Sequence, residues 1–132
     1  MKLKNILMLS AMTLLLGGCI SAEEKAQAKK IVTALPHEVI GCTFIADIDN
    51  SGPHSTIGQA RFALMLEAAK LGGTHMVEMH AFPAHITFRL IGVELSARVY
   101  KCPEGRGPTV TRDEALMKVD YPMVDPEIYD IH

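Results

Sequence analysis

The chain offers little that points to catalysis or to nucleic acid. Neither Gly-x-Ser-x-Gly, a Gly-rich phosphate loop nor His-Glu-x-x-His occurs, and the acids Asp47, Asp49, Glu67 and Glu78 are scattered as on a solvated surface. A non-catalytic role is therefore expected. There is no basic patch or stripe of the kind a nucleic-acid footprint requires, so no nucleic-acid partner is expected either. Cysteine is scarce: there are three, Cys19, Cys42 and Cys102, with no Cys-x-x-Cys spacing among them, which argues against a dithiol redox motif. After residue 18 there is no apolar run long enough to cross a bilayer as a helix.

What is present begins at the N-terminus. Lys2 and Lys4 make a short cationic start, residues 6–16 are apolar apart from Ser10 and Thr13, and Gly17 and Gly18 follow. This is the layout of a secretory signal peptide over residues 1–18, and the apolar run is too short for a membrane span. The stretch Leu16-Gly17-Gly18-Cys19 resembles the lipobox of bacterial lipoproteins, an apolar residue, two small residues and a cysteine. That resemblance implies diacylglycerol on the Cys19 sulfur, cleavage just before it and, in many such proteins, an acylated amine. One acyl chain holds a protein marginally and two hold it stably. The residue after the cysteine is Ile20 rather than the Asp that commonly retains such proteins in the inner membrane. The resemblance thus implies an outer-membrane anchor facing the periplasm.

Without residues 1–18 the chain has room for one small domain. Two of the 13 basic residues leave with the signal, so 11 face 15 acids, a formal balance of −4. Export also places the domain in an oxidising compartment where structural disulfides persist. With Cys19 assigned to lipid, Cys42 and Cys102 remain as a pair and are expected to be bonded. The opposed reading is two free thiols with a reactive role.

Residues 19–29 are polar and Ala-rich, with no pattern that buries a face, and read as a disordered tether or at most a frayed helical turn. The domain is expected over 30–103. Residues 30–35 form a β-branched run stopped by Pro36, and residues 41–48 a stronger strand ended by the turn cluster Asp49-Asn50-Ser51-Gly52-Pro53. Alternation puts Cys42, Phe44, Ala46 and Ile48 on one face of that strand.

Residues 59–71 are good helix formers with an apolar surface wide enough to lie deep against a sheet, and Arg61 is expected to reach out to water. Gly72-Gly73 ends this helix. A strand over 74–82 is expected to stop at Pro83, with a loop through His85 and Thr87. A last strand over 90–101 alternates Val93, Leu95, Ala97 and Val99 with polar residues.

The order β-β-α-β-β implies an α+β fold, one helix on a small, mostly antiparallel sheet with one disulfide. Residues 104–132 read as a largely irregular tail. Within it a capping box, Thr111-x-x-Glu114, is expected to start a short helix through Met117 or Lys118, and Tyr121, Met123, Ile128 and Tyr129 are candidates for docking.

Three stretches together carry a family resemblance: Gly41-Cys42-Thr43-Phe44-Ile45, the helix end Ala68-Ala69-Lys70-Leu71-Gly72-Gly73-Thr74-His75-Met76-Val77, and Ala97-Arg98-Val99-Tyr100-Lys101-Cys102-Pro103. The set resembles a family of small bacterial lipoproteins catalogued as a domain of unknown function. It is more remotely similar to the outer-membrane lipoprotein sensor of the Rcs envelope-stress system. The match covers about residues 30–103 and the lipobox. It implies an envelope domain that makes no covalent chemistry and works through contact. The leading reading, a module that binds another envelope component such as a protein, predicts an exposed apolar or edge-strand surface along strand one or around Tyr100.

The rival reading is a metal-binding lipoprotein. His75, Met76, Met79 and His80 lie close together with His85 just beyond, and imidazole with thioether sulfur suits copper, or imidazole alone zinc. On a strand, however, His75 and Met79 face one way and Met76 and His80 the other, so no face collects more than two ligands. The site residues expected are thus Cys19 for lipid and the pair Cys42 and Cys102, with no metal or cofactor.

Overall fold

The computed structural model describes residues 19–117. The signal-peptide reading, the end of the expected helix at Lys118 and the docking of Tyr121, Met123, Ile128 and Tyr129 lie outside those residues. In chain order the elements are α1 (Ala22–Lys29), β1 (Val32–Thr33), a 3-10 turn (Pro36–Val39), β2 (Thr43–Asp49), α2 (Ile57–Lys70), β3 (His75–Ile86), β4 (Arg89–Lys101) and a second 3-10 turn (Asp113–Ala115). They make one four-stranded sheet in the order β1-β3-β4-β2, parallel between β1 and β3 and antiparallel elsewhere. The class is α+β, as the residue pattern implies.

The long helix forms where propensity puts it, two residues earlier than expected because the Thr56 hydroxyl caps it by accepting from the Gln59 N–H at 3.1 Å. It ends at Gly72, whose φ of +81° suits glycine. Ala60, Leu64 and Ala68 face the sheet and meet Ile48, Met76, Val93, Leu95, Ala97 and Val99 in the main core. The alternation expected in β4 holds, with Val93, Leu95, Ala97 and Val99 all buried. Burying Val93, Leu95 or Val99 is worth about 1.5–3 kcal/mol each.

Four features differ from expectation. The segment taken as a tether is a formed helix, α1, lying against α2. The Ser21 hydroxyl accepts from the Glu24 N–H at 3.1 Å, Glu23 and Glu24 occupy the first turn and Lys29 the last, which complements the helix dipole. An isolated helix of this length is marginal in water. Ala28, fully buried, supplies the contact that holds it, and a single small residue leaves almost no amphipathic signature.

Strand one shrinks to Val32 and Thr33, because only there does the chain run alongside β3. Conversely, β3 runs on through Pro83 to Ile86, making a hairpin with β4 closed by Thr87 and Phe88. Proline is tolerated because Val93, its partner across the ladder, exchanges its N–H and C=O with His54 on the far side, at 2.9 Å each. The backbone of Pro83 therefore faces the free edge of the sheet, where no donor is required.

Finally, the capping box does not start an α-helix. The Thr111 Oγ1 accepts from the Thr33 N–H at 2.9 Å instead, leaving only the 3-10 turn at Asp113–Ala115. Residues 104–117 are largely irregular, as their composition implies, and are packed on the domain: Ala115 is buried and the segment is hydrogen-bonded to β1 and β3.

Candidate functional site

Cys42 and Cys102 are disulfide-bonded, with Cα atoms 4.3 Å apart. The cause is the register: Thr43 pairs with Lys101, so the next position out on each strand falls opposite the other. Together with Ala34, Val39, Val77 and Tyr100 the bridge forms a second apolar cluster on the face of the sheet away from α2. Cys19, by contrast, is exposed and outside the disulfide.

Of the side chains in the rival metal reading, Met76 is buried in the core, while Met79 and His80, placed on opposite faces by strict alternation, both line one cleft beside a register shift between Glu78 and His80. His75 is buried and fully engaged. Its Nε2 lies 2.8 Å from the Pro108 carbonyl and its Nδ1 2.8 Å from the Thr74 hydroxyl, which also accepts from the Cys102 N–H at 2.8 Å. A carbonyl only accepts, so the Nε2 carries the proton and Nδ1 accepts from Thr74. The ring is thereby a strut between β3 and the 104–117 segment. A side chain on Gly107 would come within 2.9 Å of its Nε2. His80 stacks on Phe82, and among the described residues no group of three or more His, Cys, Asp or Glu side chains is placed to hold a metal.

Two charged residues sit differently from their sequence reading. Arg61 turns inward rather than to water, its side chain 12% exposed, and pairs through Nε and Nη2 with Glu78, whose side chain is 1% exposed. Glu78 is therefore not a solvated acid; it also accepts from the Met117 N–H at 2.8 Å. A buried pair of this kind is costly to half-remove, since the remaining charge is left without a partner.

The outer face of the sheet, away from α2, carries an exposed aromatic and charged group. A bulge between Phe44 and Ala46 inserts Ile45, so Phe44 and Asp47 share the outer face while Ala46 and Ile48 turn inward. This corrects the simple alternation, which put Phe44 with Ala46 and Ile48. Across the ladder Phe44 meets Tyr100 edge-on, with centroids 6.0 Å apart, and the Arg98 guanidinium lies 5.3 Å from the Phe44 ring centre. Arg98 also grips Asp47 through two N–H groups, at 2.8 and 3.3 Å. Those hydrogen bonds, reinforced by the charge, hold the Asp47 carboxyl below its ordinary range and the guanidinium above its own.

Beside this group lies a cleft of about 210 Å³ lined by Asp47, Asp49, Met79, His80, Ser96 and Arg98. Asp49, Ser96 and His80 stand in one row across β2, β4 and β3. The Ser96 Oγ is buried without a hydrogen-bond partner. The arrangement suits binding, with a planar cation, a carboxylate and aromatic edges presented together. The sequence reading includes a surface around Tyr100 but misses Phe44, because alternation puts Phe44 on one face with Ala46 and Ile48 and the bulge reverses it.

No protein-family model, curated protein or solved structure matches the chain.

Proposed function

We propose that the chain is a lipid-anchored protein of the bacterial envelope, held at Cys19 and facing the periplasm from the outer membrane, that acts by binding another envelope protein rather than by catalysis. The observation that carries the binding role is the group on the outer face of the sheet: Phe44, half exposed, held between Arg98 and Tyr100 next to an open cleft. Tyrosine, phenylalanine and arginine are enriched at interfaces, and a side chain already held in place loses less entropy on binding. The signal-like N-terminus and lipobox support the anchor, as does an exposed Cys19 that the disulfide leaves free. The metal-binding alternative has less support, because among the described residues no three His, Cys, Asp or Glu side chains are grouped to hold a metal, and His75 is occupied.

The test is photo-crosslinking in cells from a probe at Phe44, and separately at Asp49, in the native chain and in Cys19→Ser. A single crosslinked protein that disappears in Cys19→Ser is the expected result. Diffuse background from both positions would sink the binding role, whereas a bare Cys19 in the mass of the mature chain would sink the anchor.

A further inference from the structure

The β3–β4 hairpin runs beyond the part of the sheet that α2 covers and exposes an apolar surface. Phe82, Ile86 and Ile91 are 50%, 63% and 41% exposed, and Phe88, in the two-residue turn, is 99% exposed. Between Met79 and Val93 there is no acidic residue, while Arg89 sits beside the turn. Thr87 holds a φ of +58°, a conformation that a β-branched residue rarely adopts, and in doing so keeps the turn tight with Phe88 at its tip.

The position of this surface relative to Cys19 follows from three contacts. Ser21 caps α1, so Ile20 alone separates Cys19 from folded structure. Ile20 lines a groove of about 580 Å³ together with His54, Gln59 and Phe62. His54 in turn is hydrogen-bonded to Val93, at the base of the hairpin. At its other end α1 leads to Gln27 and Lys30, which lie near Gly72 and Thr74, towards the disulfide. The helix therefore points its start, and Cys19, towards the hairpin end of the sheet.

From this geometry we infer that the hairpin tip is a second membrane contact, with Phe88, Ile86 and Ile91 entering the lipid interface and Arg89 meeting anionic headgroups. The inference rests on lipidation at Cys19. A long flexible tether would let the domain stand away from the bilayer, but one intervening residue holds its hairpin end against the headgroups. Apolar side chains joined to a nearby cation are the chemistry that binds such a surface, and a second point of attachment converts an acyl anchor into a fixed orientation.

The chain contains no tryptophan, so Phe88→Trp supplies a unique fluorescent reporter. The lipidated chain is reconstituted in vesicles of phosphatidylethanolamine and phosphatidylglycerol, with and without brominated acyl chains, and compared with Val110→Trp near the disulfide end. The expected result is blue-shifted emission, quenched by brominated lipid, for Phe88→Trp only. Water-like, unquenched emission from a chain that still floats with the vesicles overturns the contact and leaves the anchor standing. A blue shift without lipid quenching also overturns it, placing the tip against protein or a second copy. A mass showing no lipid on Cys19 refutes the anchor, and the inference falls with it. In the unlipidated Cys19→Ser chain, Phe88→Asp should lower vesicle partitioning about tenfold or more; equal partitioning of the two chains counts against the contact.

Discussion

The two ends of the sheet are built on different terms. At the disulfide end, β1, the first 3-10 turn and residues 104–117 close over both the edge and the outer face. They are fastened by Cys42–Cys102, by the Thr74–His75–Pro108 hydrogen bonds, by Thr111 on the Thr33 N–H and by Arg112 on Glu38. At the hairpin end β3 and β4 have mainly each other, with large apolar groups in solvent and a strained turn. The difference teaches that the fastenings of this small domain are concentrated at one end, where Phe44 and Tyr100 are held beside the bridge. The most exposed of the large apolar side chains, Phe88, lies on the less constrained half, as expected of a segment with few restraints.

Removing the disulfide is the largest way to break that comparison. Replacing Cys42 and Cys102 together with serine releases a closed loop with a sequence separation of 60, which should cost about 4 kcal/mol of stability in urea unfolding. Amide exchange should accelerate around β1 and Cys102 and stay nearly constant between Phe82 and Ile91. Equal acceleration at both ends would mean that the sheet opens as one cooperative unit and that the contrast drawn here is false.

A smaller effect of opposite sign is expected at the other end. Thr87→Gly relieves a positive φ that costs a β-branched residue on the order of 1–3 kcal/mol, less the added chain entropy of glycine, for a net gain of about 1 kcal/mol. Urea titration of the two chains measures it. No gain would show that the threonine is not strained and that the two ends differ in exposure alone.

Much of the fold was legible in the residues, for identifiable reasons. The wide apolar surface of residues 59–71 and the alternation of Val93, Leu95, Ala97 and Val99 arise from burial, which leaves a periodic trace. The Cys42–Cys102 bond follows from pairing two cysteines at neighbouring strand ends. What was not legible leaves no such trace. Helix α1 is held by one alanine, Pro83 survives in a strand only because of which edge it faces, and the bulge at Ile45 reverses the sides that alternation assigns to Phe44 and Ala46. Arg61 and Glu78 lie 17 residues apart and meet only once α2 has crossed the sheet, so nothing local distinguishes them from surface charges. Of the group on the outer face only Tyr100 was legible, because Phe44 joins it through a bulge and a register.

The smallest expected effect concerns acid. Glu38 accepts from the Leu35 N–H at 2.9 Å and from Arg112 at 2.7 Å, and the backbone hydrogen bond above all, followed by the guanidinium, outweighs burial to hold its carboxyl below the ordinary 4.5. In the unfolded chain that carboxyl takes up a proton at the ordinary value, before the folded one does. Its contribution is therefore complete above pH 4.5 and disappears as pH falls through the lower folded value. Because Arg112 is half exposed, the sum should be less than about 1 kcal/mol. Glu38→Gln should accordingly lower stability slightly at neutral pH and flatten its fall below pH 4.5, with the two chains converging in acid. If the slopes of both chains are identical across that range, the Glu38–Arg112 contact does not fasten residues 104–117 to the domain, and the disulfide end is held by fewer links than its geometry implies.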